Sequence, residues 1–191
     1  MDTAALHPPP LPPASQPTTN WRGFAVNALM GAAVGGGVTW LMLQHLDLDG
    51  AAALGLGAIF LVSIWLHIVI HEAGHAVAGL AVGMKPVAFG VGPLRLERSG
   101  AGWHLRWGGG IAGIAGFAAL LPPADAVARR REQALYLLGG PLSNLLLGVP
   151  ALLLANAAPP GVWAILGFGF GAAGLVIGVV NLIPFKTSGW L

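Results

Sequence analysis

Two histidines four residues apart, His71-Glu72-Ala-Gly-His75, carry the pattern in this chain whose residue types and spacing best suit a reaction. Positions four apart on an α-helix differ by about 40° around the axis, so His71 and His75 can present ring nitrogens to one metal ion with Glu72 beside them. Two neutral imidazoles suit zinc and leave room for a third protein ligand and a water, whose pKa the ion can lower to about 7. Glu72 is then placed to take the proton of that water and return it to a leaving amine, which is the chemistry of peptide-bond hydrolysis.

The surroundings strengthen the reading. The pattern lies between Ile68-Val-Ile70 and Ala76-Val-Ala78, inside a run with the character of a membrane helix. A charged side chain in the hydrocarbon region costs roughly 2.5–3.5 kcal/mol on insertion scales, so such groups pair, bind an ion or line a polar cavity. Three within five residues therefore mark a site. His67, one turn earlier, is compatible either with a supporting partner of that site or with a packed histidine, and it is not counted as a ligand.

The elements that hold this pattern follow from composition. The 191 residues are 55% hydrophobic and 8% charged, with mean hydropathy +0.75, against about a quarter charged in an average soluble chain. This is the composition of a polytopic membrane protein. A net charge of +2 and a pI near 9.7 do not make a nucleic-acid surface, because nine basic residues in so apolar a chain form no extended phosphate-binding face. With no cysteine, transition-metal ligands must come from His, Asp or Glu.

Residues 1–20, with Pro8-Pro-Pro10, Pro12-Pro13 and Pro17, are expected to form a disordered tail and lack the layout of a secretory signal. A span needs about 20 apolar residues, and four segments qualify: about 23–43, 51–82, 132–158 and 161–183. The second carries the His-Glu-His pattern and is expected to end at Gly83, with Pro86 opposing continuation. The third is interrupted in character by Gly139-Gly-Pro-Leu-Ser-Asn144, and Ala157-Ala-Pro-Pro160 turns it into the fourth.

Between the second and third spans, residues 84–121 read as a small insertion of short strands followed by a re-entrant or interfacial loop from Gly108 to Leu121. Trp103, Leu105 and Trp107 alternate as one apolar strand face. The fold class expected is thus an all-α polytopic membrane protein with about four transmembrane helices and a β-hairpin or re-entrant insertion. Arg22, the 84–131 connection and Lys186 contain every Lys and Arg, and four spans put them all on one side. The positive-inside rule makes that side, and the N-terminus, cytoplasmic.

Three separated segments, His71-Glu-Ala-Gly-His75, Gly140-Pro-Leu-Ser-Asn144 and Asn181-Leu-Ile-Pro184, give the chain a resemblance to the site-2 protease family of intramembrane zinc metalloproteases, peptidase family M50. The resemblance covers roughly Val62 to the C-terminus. It implies one zinc ion per chain on His71 and His75, Glu72 as catalytic base, and Asn144 in the neighbourhood of bound substrate. It further implies a single-span, membrane-anchored regulatory protein as substrate, held unwound against the strands by β-addition, and a multi-pass protein of a bacterial plasma membrane.

One departure matters. The family's third ligand is an Asp in an Asp-Gly pair after Asn-x-x-Pro, and no Asp follows Asp125 here. The expectation is that this ligand lies beyond Leu191; its loss is the other reading. Two further functions stay open at this stage: a non-proteolytic membrane scaffold of the same fold, and a metal or proton transporter using His67, His71 and His75 as a relay. Oligomeric state is not legible.

Overall fold

The computed structural model describes residues 50–100, 102–108, 115–123 and 130–183, with isolated helical positions at 29, 33, 36, 37, 40 and 44. The tail expected at 1–20 lies outside the described residues, as does the first span expected at 23–43 apart from those isolated positions. Three described helices are long and apolar enough to cross a membrane: α1 (Gly50–Ala81), α2 (Arg130–Ala157) and α3 (Val162–Leu182). Each packs against the other two.

The helix surfaces turned away from these contacts are apolar. Leu61 and Val62 of α1 and Leu146, Leu153 and Leu154 of α2 are all at least 66% exposed. In water such a surface would be a liability; against lipid tails it is the ordinary exterior. The core between α2 and α3 is built from Ala155, Ala164, Phe168 and Ala172, with Phe60 of α1 packed on it. Small residues let the backbones approach closely, which is how membrane helices associate when no water-driven force pushes them together.

α1 ends as its sequence indicates. Gly83 adopts φ +81°, and the Met84 and Gly83 amides donate to the carbonyls of Gly79 and Leu80, the paired bonds of a Schellman terminus. α2 differs from its expected interruption: it runs continuously through Gly139, Gly140 and Pro141, and again through Pro150. Proline is tolerated inside membrane helices because neighbouring groups can satisfy the carbonyls it frees.

Four antiparallel strands, β1 (Lys85–Val91), β2 (Leu94–Ser99), β3 (Gly102–Trp107) and β4 (Gly116–Leu121), form one sheet in the order β3-β2-β1-β4. Gly92, at φ +57°, opens the two-residue turn between β1 and β2. The register pairs Leu94 with Trp107 and Leu96 with Leu105, so the apolar face expected from Trp103, Leu105 and Trp107 continues onto β2.

The last part of the expected re-entrant loop is instead a strand. Residues 116–121 are β4, which pairs with β1 from Gly116 against Val91 to Leu121 against Lys85, with an irregularity between Pro86 and Ala88. The ladder satisfies the backbone that a lipid-facing loop would leave unpaired. β4 contacts α1 directly, and among the described residues no strand pairs with its other edge.

Candidate metal centre

His71 and Glu72 lie on the last third of α1, where α2, α3 and β4 close over it, and are 9% and 8% exposed. One helical turn separates His71 from His75, whose rings meet edge to face at 86° with centroids 4.6 Å apart. Their Nε2 atoms approach to 3.1 Å. Zinc–nitrogen bonds of about 2.0–2.1 Å in tetrahedral geometry separate two ligand nitrogens by about 3.3 Å. The two imidazoles therefore fit a shared zinc ion.

Two further observations bear on that fit. The other nitrogen of His75, Nδ1, lies 2.7 Å from the Tyr136 carbonyl. A carbonyl only accepts, so Nδ1 carries the proton and Nε2 keeps its lone pair, the arrangement a metal ligand needs. The Gly140 amide also approaches Nδ1, but at 3.3 Å, and the shorter bond decides the tautomer. Gly140 itself leaves the space: a Cβ there would overlap His75 Nε2 and lie 2.7 Å from His71 Nε2. Among the described residues, no group of three His, Cys, Asp or Glu side chains is gathered so as to hold a metal, and the donors that converge here are the two imidazoles.

A cavity of about 270 Å³ opens beside the pair, lined by Ile68, His71 and Glu72 of α1, Ala115 and Gly116 at the start of β4, and Ile177 and Asn181 of α3. Gly116 sits against the carboxylate: a Cβ there would be 2.8 Å from Glu72 Cγ and 3.0 Å from Oε1. β4 thus begins beside the acid. Tyr136 ties the strand to α2 by donating its hydroxyl hydrogen to the Ala118 carbonyl.

A sequence model of peptidase family M50 matches residues 59–159, more than half of the chain and all of the site except its α3 wall. The chain belongs to peptidase family M50. No curated protein and no solved structure matches it. Family membership and the three apolar helices together indicate a protease integral to a membrane.

Of the residues singled out in this M50 chain, His71, Glu72 and His75 are brought together on α1, and Asn144 of α2 joins them. Its side chain is fully buried and bridges two rings, His67 Nδ1 at 3.1 Å and His71 Nδ1 at 3.0 Å. His67, left between two readings by its sequence, is also fully buried and touches the network. Asn181 faces the cavity, its amide donating to the Ile177 carbonyl at 2.9 Å; Pro184 of the same motif lies outside the described residues. The sequence did not point to Gly116, and it offered Gly140 only as the first residue of the Gly140–Asn144 motif, without a role. Their role is to leave room for side chains 44 and 65 or more positions away, and a local reading of glycine reports only turns and helix contacts.

Proposed function

We propose that this chain is a zinc-dependent intramembrane endopeptidase that cleaves a peptide bond within the transmembrane segment of a single-span, membrane-anchored regulatory protein. The observation that carries the reading is the pair of Nε2 atoms of His71 and His75, 3.1 Å apart on one turn of an apolar helix, with Glu72 beside them in a cavity. His71 and His75 would hold one zinc ion, which when bound supplies Lewis acidity for activating water and polarising a carbonyl.

The chain's own residues supply the remaining parts. Glu72 accepts the proton of the attacking water on a carboxylate oxygen and delivers it to the leaving amide nitrogen. Its low exposure keeps bulk water from competing for that proton. A transmembrane segment must unwind before its backbone can be attacked, and its freed N–H and C=O groups then need partners. The open edge of β4 offers them, and an extended segment paired there begins at Gly116, next to Glu72. The site opens toward the cytoplasmic side in the orientation set by the basic residues.

The test uses purified protein in liposomes with a single-span substrate. Glu72→Gln keeps zinc at the wild-type stoichiometry and lowers cleavage by about 10²–10⁴-fold, the usual weight of a positioned acid–base group. A strong chelator abolishes wild-type cleavage and added zinc restores it. Normal cleavage by Glu72→Gln would refute the mechanism. Wild-type protein that binds neither zinc nor cleaves would return the chain to the scaffold reading, and metal flux without cleavage to the transporter.

A further inference from the structure

The buried chain Phe170 O–His67–Asn144–His71 links three helices and has a proton inventory that can be worked out. His67 Nε2 lies 3.0 Å from the Phe170 carbonyl, and His67 Nδ1 lies 3.1 Å from the Asn144 amide, whose other end is 3.0 Å from His71 Nδ1. The two ends of an amide occupy nearly the same space, so the network decides which is oxygen and which is nitrogen. The decision fixes the tautomer of His71.

With Oδ1 toward His67, both partners of His67 are acceptors. The ring must then either donate from both nitrogens as a cation or leave one lone pair against an oxygen. The cation would be enclosed with a carbonyl and an amide as its partners, against Phe170 at 4.3 Å and Gly174, where a Cβ would be 2.5 Å from Cε1. Burying an unpaired charge this way is strongly unfavourable. The neutral alternative sets a ring lone pair against either the Phe170 or the Asn144 oxygen in a sealed position. On the His71 side, the amide nitrogen donates to Nδ1, so neutral His71 carries its proton on Nε2 and spends it on His75 Nε2.

Turning the amide by half a revolution removes each conflict at the His67 end. Neutral His67 donates from Nε2 to Phe170 O and accepts at Nδ1 from the Asn144 amide. Oδ1 then accepts from His71 Nδ1–H. The lone pairs of His71 and His75 are left facing each other beside the cavity that His71 lines, where a cation or water can satisfy both.

We infer that His67 and Asn144 are positioning residues that hold His71 in the tautomer with a free Nε2, through the buried relay Phe170 O–His67–Asn144–His71. This deepens the zinc reading above and rests on it. Asn144 acts through the ring of His71, with both ends of its amide already engaged.

The experiment measures zinc affinity by competition with a chromophoric chelator, in detergent micelles, alongside the thermal midpoint. Asn144→Leu keeps the branched heavy-atom skeleton and removes both hydrogen bonds; it weakens zinc binding about 10–100-fold, the usual cost of losing a partner behind a metal ligand. Asn144→Asp, whose oxygen still accepts from His71 Nδ1–H, binds at least tenfold tighter than Asn144→Leu, a rescue that mere packing does not predict. His67→Phe, which frees the amide to turn, weakens binding about tenfold.

A long-range proton–nitrogen spectrum of metal-free, imidazole-labelled wild type shows His71 protonated at Nδ1. A resting His71 protonated at Nε2, or equal zinc affinity in wild type, Asn144→Leu and His67→Phe, overturns the relay while leaving the zinc site standing. Wild type that binds no zinc instead overturns the zinc reading itself. If Asn144→Leu does not fold, His67→Phe and the wild-type spectrum still decide.

Discussion

Replacing Gly140 with Ala adds one methyl group at the point where the two imidazoles meet. The new Cβ overlaps His75 Nε2 and lies 2.7 Å from His71 Nε2. Ordinary contact begins near 3.4 Å, so the rings must retreat by roughly 0.7 Å or more to reach normal van der Waals separation. A metal ligand tolerates displacements of only about 0.2 Å. His75 has little freedom to yield, because its Nδ1–H is tied to the Tyr136 carbonyl on the same helix as Gly140, one turn earlier. Either that bond breaks or the two Nε2 atoms part.

The expected result is a loss of zinc affinity of about a hundredfold, or about 2.8 kcal/mol, with overpacking lowering stability by about 1–3 kcal/mol. Zinc per chain after equilibration with chelators of graded strength reads the first, and a thermal or denaturant midpoint in micelles reads the second. Gly167→Ala separates the two effects: its Cβ would be 2.8 Å from Ala155 Cβ at the far end of the α2–α3 contact, so it loses stability and keeps zinc. Wild-type zinc affinity in Gly140→Ala, or equal zinc loss in Gly167→Ala at matched stability, would refute the placement of the imidazole pair against α2.

Two other substitutions test the remaining walls. Gly116→Ala puts a methyl 2.8 Å from Glu72 Cγ and 3.0 Å from Ile68 Cγ2, pushing the carboxylate aside; kcat falls about 10–100-fold with zinc content unchanged, and an unaltered kcat would mean that β4 does not confine the acid. Phe168, 1% exposed among Ala155, Ala164 and Ala172, loses packing on change to Ala. Because no water-to-core transfer is involved between lipid-immersed helices, the cost is about 1–3 kcal/mol rather than the roughly 3–5 of a soluble core, read by reversible unfolding in mixed micelles.

What could be read from the sequence was whatever depends on near neighbours. The spans expected at 51–82, 132–158 and 161–183 are described as helices at Gly50–Ala81, Arg130–Ala157 and Val162–Leu182, since hydropathy summed over about 20 residues suffices to find them. His71 and His75 converge because helical geometry alone puts them on one face. β4 was not legible: Gly116-Phe-Ala-Ala-Leu-Leu121 has no alternation, and what makes it a strand is β1, about 30 positions earlier. The bonds of Asn144 to His67 and His71 span 77 and 73 positions and depend on how α1 and α2 cross, which no local pattern encodes.

That crossing is where packing and chemistry meet. In lipid the helices gain nothing from leaving water, so close contact must come from small residues. Gly74 and Gly139 provide it: a Cβ on either would overlap the other's carbonyl oxygen. Only at that approach can His75 reach the Tyr136 carbonyl at 2.7 Å and Ser143 donate to the Ile70 carbonyl at 3.0 Å. Gly140 at that crossing, and Gly174 where α3 packs on it, then clear the volume that the rings of His75, His71 and His67 fill. Glycines at helical spacing, which taken alone indicate no more than packing, therefore set the distances on which the metal pair depends. A helix bearing His71-Glu72-x-x-His75 without them would present the same donors and leave their separation and tautomers undetermined.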